Sequence, residues 1–136
     1  MARNFIDTNV LLYCDDAGNS AKQGRALSLV LNHLQDATGA VSLQVLQEYF
    51  FNATRKLGLD VDLARRKVEI YSRFLVVEPG VQDLFAAIDL HRLYRISFWD
   101  ALILRSAKQA ACRVVLTEDM QHGKTIDGVK IVNPFL

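Results

Sequence analysis

Four carboxylates in this 136-residue chain stand where strand-like runs end or helices begin. Asp7 directly follows "NFI", and Asp119 follows "RVVLT" with only Glu118 between. Glu48 lies in the first half of the segment opened by Ser42, and Asp100 lies three residues after Ser97. Acids at such places are candidates for work on a phosphate or a cation, because an open parallel sheet collects its functional groups in the crevice beyond the carboxyl ends of its strands. Each has a plainer explanation as well. Asp7 suits a turn, Glu48 a solvated helix face and Asp119 a surface loop. Asp100 suits the N3 position of a capping box whose N-cap is Ser97.

Taken together, the four meet an electrostatic objection. Two unit charges about 4 Å apart repel by roughly 4 kcal/mol at an effective dielectric near 20. If the acids converge, a cation must offset them, and all-oxygen donors with water suit Mg²⁺ or Mn²⁺. His33, His91 and His122 lack zinc-ligand spacing, with only His122 near a candidate acid, and Cys14 and Cys112 lack C-x-x-C or Cys/His spacing. The cysteines read as small buried thiols of a reducing compartment.

The elements that must position these acids follow from periodicity and caps. Asn4 to Ile6 reads as a strand, and Thr8 and Asn9 stand at a strand-to-helix turn. A longer helix has Asn19 or Ser20 as N-cap, Leu27, Val30, Leu31 and Leu34 at helical spacing, and Gly39 beyond its end. A short strand over 40–42 leads into the cap Ser42 and a helix over 43–57, stopped by Gly58. Asp62 can cap a helix through "LARRKVEIYSRF", and "LVV" before Glu78-Pro79-Gly80 reads as a strand and turn. A helix follows through Val81, Leu84, Phe85 and Ile88, then another from Ser97 to about Ala111, then strands "RVVLT" and "VKIV". Strands alternating with helices, without repeat or linker, imply one α/β domain over residues 1–136 with a mostly parallel sheet flanked by helices.

Composition agrees with one compact domain: 51% hydrophobic, 23% charged, seven Gly and two Pro. A net charge of +1 announces no acidic, membrane or nucleic-acid partner by itself. The start "MARNFIDTNV" carries no leader pattern, and no apolar run approaches the roughly 20 residues of a membrane span, so the expected location is cytoplasmic.

In order along the chain, "FIDTNVLLY", "SLQVLQEYF", "SFWDALI" and "LTEDMQHG" with "GVKIVNPF" resemble the motifs of PIN-domain ribonucleases, in particular the VapC-type toxins of bacterial toxin–antitoxin pairs. The resemblance implies a PIN-like fold and Mg²⁺- or Mn²⁺-dependent endonucleolytic cleavage of RNA. It places the catalytic acids at Asp7, Glu48, Asp100 and Asp119. Asp7 and Asp100 would be direct metal ligands, with Glu48 and Asp119 direct or through water. It gives Asn9 the task of holding carboxylates by hydrogen bonds and Thr117 the place before the last acid. Either acid of the "ED" pair can face the metal, and the family's T-x-D spacing favours Asp119 over Glu118. It also implies a homodimer and a cognate antitoxin. An aspartate-nucleophile phosphatase is the rival enzyme, weakened because Asn9 replaces the second acid of D-x-D. A non-catalytic RNA- or protein-binding module is the rival of another class.

For RNA contact, Arg55, Lys56, Arg65 and Arg66 lie in a segment, 55 to 73, with six basic and three acidic residues. The same charges can instead decorate an exposed helix, Arg65 with Glu69 and Glu69 with Arg73 at i,i+4 spacing. Tyr49, Phe50 and Phe51 are consecutive and point around too much of a helix for one core stripe, so one ring is available to a partner.

Overall fold

The computed structural model describes residues 2–136. Strand β1 (Asn4–Ile6) runs into the short helix α1 (Thr8–Tyr13) and then α2 (Ser20–Asp36). Next come β2 (Gly39–Ser42), α3 (Leu43–Arg55), α4 (Val61–Tyr71) and β3 (Leu75–Val77). The chain continues through α5 (Val81–Tyr94), α6 (Phe98–Gln109), β4 (Val114–Leu116), β5 (Thr125–Ile126) and β6 (Val129–Val132). The sheet order is β3-β2-β1-β4-β6-β5, parallel throughout except for β5 against β6. From β1 the chain builds outward to β2 and β3 on one side and later returns to β4 on the other. The carboxyl ends of β1 and β4 therefore flank a topological switch point, where such sheets leave an open crevice.

The core explains why short strands suffice. Phe5, Ile6, Val41, Val115 and Ile131 on the strands are buried together with Val10, Leu11, Val45 and Leu104 on the helices. Cys14 and Cys112 are buried free thiols, and burial pushes them up to about 12 and about 11, which keeps both unreactive. His33 is also structural. Its Nδ1 lies 2.8 Å from the Leu29 carbonyl, and its Nε2 lies 3.1 Å from the Asn4 amide.

Several boundaries differ from the sequence reading for local reasons. Asp60, rather than Asp62, caps α4, with its carboxylate accepting from the Asp62 N–H at 3.2 Å; Asp62 sits in the first turn, where its charge suits the helix dipole. That helix stops at Tyr71, and residues 72–74 turn into β3. The left-handed residue after α2 is Ala37 (φ 55°), and Gly39 instead opens β2, where a Cβ would stand 2.4 Å from the Phe74 ring. The largest surprise is α5. Its stripe Val81, Leu84, Phe85 and Ile88 is exposed, while Ala87 and Leu90 face the core. Among the described residues no helix is long and apolar enough to cross a membrane.

Candidate active site

Asp7 is placed by β1 and by a backbone bond from its own N–H to the Leu116 carbonyl of β4 at 3.0 Å, which pins it between the two central strands. It then caps α1: its Oδ1 accepts from the Thr8 N–H at 2.7 Å. Its Oδ2 accepts from the Thr117 hydroxyl at 2.8 Å and more distantly from the Asn9 amide at 3.4 Å. Asp7 is 7% exposed, and its carboxyl is pushed up to about 6. Burial is the main cause, opposed by the bonds from Thr117 and Thr8 and reinforced by the charges of Asp119 and Glu48.

Asn9 is the junction of the cluster. Its Nδ2 donates to Thr117 at 3.0 Å and to Asp119 Oδ2 at 3.1 Å, and its Oδ1 accepts from the Glu118 N–H at 3.1 Å. Thr117, fully buried, accepts from the Asp119 N–H at 3.1 Å while donating to Asp7. The two adjacent acids point in different directions. Asp119 turns towards Asn9, whereas the Glu118 carboxylate turns away to Lys22 at 2.9 Å and the Tyr13 hydroxyl at 3.0 Å.

Glu48 reaches the cluster from α3. Its Oε2 accepts from the Thr8 hydroxyl at 3.0 Å and its Oε1 from the Gln44 amide at 2.7 Å. Asp100 is the outlying member. Ser97 Oγ accepts from the Asp100 backbone N–H at 3.0 Å, so the cap of α6 uses the main chain of residue 100. The Asp100 carboxyl is raised by burial and by the Asp119 charge, against the Ser97 bond. Asp119 connects the two sides, lining a cleft of about 360 Å³ with Glu48 and a smaller cavity of about 160 Å³ with Asp100.

Thus Asp7, Asn9, Glu48, Thr117 and Asp119 are brought into one bonded network through Thr8, with Asp100 across from Asp119. Among the described residues, no three acidic, histidine or cysteine side chains are gathered tightly enough to enclose a metal ion by themselves. His122 accepts from the Asn133 N–H at 2.9 Å and lines neither cavity. In the sequence, Thr8 has only a place at the strand-to-helix turn, and Gln44 was not singled out. The signal for Gln44 was its i,i+4 spacing to Glu48, which puts an amide beside a carboxylate on one helix face.

The candidate RNA cations separate. Lys56 lines the larger cleft, Arg55 lies over the Phe51 ring at 5.3 Å, Arg65 pairs with Glu69, and Arg66 lies outside the cleft. No Glu69–Arg73 pair forms among the described residues, since Arg73 lies beyond the end of α4. Of the three consecutive rings, Tyr49 is buried and donates to Asp15 at 2.6 Å, Phe50 is half-buried, and Phe51 is exposed.

Comparison with solved structures places this fold beside several toxins. Mycobacterium tuberculosis VapC20, described as a sarcin-ricin loop cleaving toxin, has 19% identity and a TM-score of 0.69, covering 85% of this chain and 89% of that one. A toxin–antitoxin complex from Klebsiella pneumoniae has 21% identity and a TM-score of 0.70, covering 96% and 97%. VapBC2 from Rickettsia felis, bound to a DNA fragment from its promoter, has 18% identity and a TM-score of 0.67, covering 94% and 96%. No curated protein sequence matches. A family model described as the PIN domain matches residues 5–126, nearly the whole chain and all four acids, and the chain belongs to that family.

Proposed function

We propose that this protein is a divalent-cation-dependent RNA endonuclease and the toxin of a VapBC-type pair. The observation that carries the reading is the hydrogen-bonded acid network at the β1/β4 switch point, in which a buried Asp7 shares its surroundings with the charges of Asp119 and Glu48. Three acids held this way, with a fourth nearby, suit a hard cation. Their donors are all oxygen, and a loosely gathered set matches Mg²⁺, which keeps several waters and takes one or two carboxylates. Asp7 and Asp100 would hold Mg²⁺ or Mn²⁺ directly, with Glu48 and Asp119 direct or through water. When bound, the cation would supply phosphate orientation, a lowered pKa for a water nucleophile and an offset to the negative charge developing on the leaving oxygen.

The protein's own residues prepare that site. Asn9 and Thr117 fix the separation of Asp7 and Asp119, and Gln44 and Thr8 fix the rotamer of Glu48. No side chain is required as nucleophile. An antitoxin partner is supported by the toxin–antitoxin complexes among the structural neighbours, and a homodimer by the outward apolar stripe of α5.

Incubation with total cellular RNA tests the reading. Discrete cleavage is expected with Mg²⁺ or Mn²⁺ and none with excess chelator, and induction of the protein alone should arrest growth that co-expression of the neighbouring antitoxin relieves. Full cleavage in chelator overturns the metal dependence. Absence of cleavage and arrest by soluble, folded protein supports a non-catalytic binding module instead.

A further inference from the structure

The cleft between α1 and α3 offers more than acids: Leu12, Tyr13, Asn52, Lys56 and Leu57 complete its lining. Resting on the ribonuclease reading, we infer that it is a subsite for one unpaired nucleotide adjoining the scissile phosphate. The Lys56 ammonium holds the neighbouring phosphate and the Asn52 amide meets the base.

Size is the first argument. About 360 Å³ lies near the lower end of the roughly 300–1,000 Å³ of small-ligand clefts, which suits a single splayed nucleotide rather than a duplex. Unpaired loop and end nucleotides are also the form in which RNA exposes its base edges to side chains.

Charge is the second. Three other cations are paired, Lys22 with Glu118 at 2.9 Å, Lys67 with Asp15 at 3.1 Å and Arg65 with Glu69, while Arg55 lies over the Phe51 ring, outside the cleft lining. Lys56 shares its cleft with Asp16, Glu48 and Asp119, yet among the described residues it makes no ion pair with them or any other acid. Three carboxylates repel a phosphate, so an exposed cation on the rim decides whether a strand lies beside them. A flexible ammonium serves as a point charge for that contact.

Asn52 supplies the third. Its Nδ2 donates to the Glu48 carbonyl at 2.9 Å, which fixes the plane of the amide and leaves its carbonyl oxygen and second N–H for a base edge. Leu12 and Leu57 give the base an apolar surface to lie on.

Salt dependence of binding tests this with a readout separate from cleavage. The probe is a fluorescein-labelled, mixed-sequence, single-stranded RNA at constant Mg²⁺, bound to Asp7→Asn protein so that it survives. Adding Lys56→Gln should weaken binding several-fold at 50 mM salt and reduce the slope of log K against log salt by about 0.7, the loss of one single-strand phosphate contact. Arg92→Gln on α5, the same charge change outside the cleft, should leave the slope unchanged. In otherwise wild-type enzyme, Asn52→Ala should redistribute cleavage positions in the mixed pool. Equal slopes for the Lys56 and Arg92 variants overturn the subsite, while Mg²⁺-dependent cleavage by the wild type keeps the nuclease reading standing. A wild type that neither binds nor cleaves the RNA overturns both.

Discussion

Asp7 is a buried carboxylate whose ionised form the metal-free protein holds at a cost. Its folded value of about 6 stands above the ordinary 3.8. Between about pH 4 and pH 6 the folded state therefore retains a proton that the unfolded chain has released, and stability falls as pH rises through that window. The full loss above pH 6 is about 3 kcal/mol. Substituting Asp7→Asn removes the titration, so in chelator the melting temperature of the variant relative to wild type should rise from pH 4.5 to about pH 6 and level off by pH 7.5. A constant difference across that range would contradict the burial of Asp7. Asp100 gives a second test, because the cap of α6 uses its backbone N–H and so survives Asp100→Asn. The metal-free variant should melt at or slightly above the wild-type temperature, relieved of the Asp119 repulsion, while Mg²⁺-dependent RNA cleavage falls at least a hundredfold. Early melting with normal cleavage would make the Asp100 carboxylate structural. Asp7, Asp100 and Asp119 stood out in the sequence because each follows a strand or opens a helix, whereas Glu48 sits in the middle of α3 and stood out only beside the other three. The Thr8 donor that orients Glu48 did not, because it reaches across 40 residues and only the packing of α1 on α3 creates that contact.

At the scale of elements, helices were read well because caps and apolar spacing are local properties, as at Ser42 and Ser97. What escaped was decided by neighbours. The two-residue strand β5 is too short to show a period, although the Asp127-Gly128 pair, with φ of 51° and 81°, carried the hairpin signal into β6. Gly39 looked like a helix terminator because nothing local reveals the Phe74 ring that β3 brings against it. That contact predicts the effect of Gly39→Ala. A methyl group 2.4 Å from a buried aromatic carbon forces the ring or the β2 backbone to shift, and overpacking of this kind costs about 1–3 kcal/mol. The variant should lose that stability in urea unfolding with an unchanged m-value. Gly24→Ala, mid-helix and facing open space, should gain a few tenths to 1 kcal/mol. Equal effects at the two positions would mean that Phe74 does not seat on Gly39.

The whole molecule presents an apolar surface that the monomer leaves unused. Helix α5 is held on α6 by the Asp83–Arg105 ion pair at 2.9 Å and by Ala87 and Leu90 in the core, which turns Val81, Leu84, Phe85 and Ile88 outward. Trp99 on α6 and Leu43 at the start of α3 extend this surface around a groove of about 520 Å³. Periodicity revealed the stripe but not its direction, since a helix with apolar residues on both faces has the same spacing whichever face meets the sheet. Val81 at 65% exposed, Phe85 at 54% and Trp99 at 62% are large apolar side chains left in water, which a partner surface would cover. A two-fold axis through α5 would pair the stripe with itself, the commonest way a single patch is covered. Sedimentation equilibrium at micromolar concentration should therefore give about twice the 15.3 kDa chain mass, and Phe85→Asp should return it to one chain by placing like charges across the axis. Arg92→Gln serves as the charge-change control on the same helix. Because the acid network is built within one chain, the Phe85→Asp monomer should keep the wild-type pH dependence of melting below pH 6. A wild type that sediments at a single chain mass at every concentration would mean that another protein covers this face.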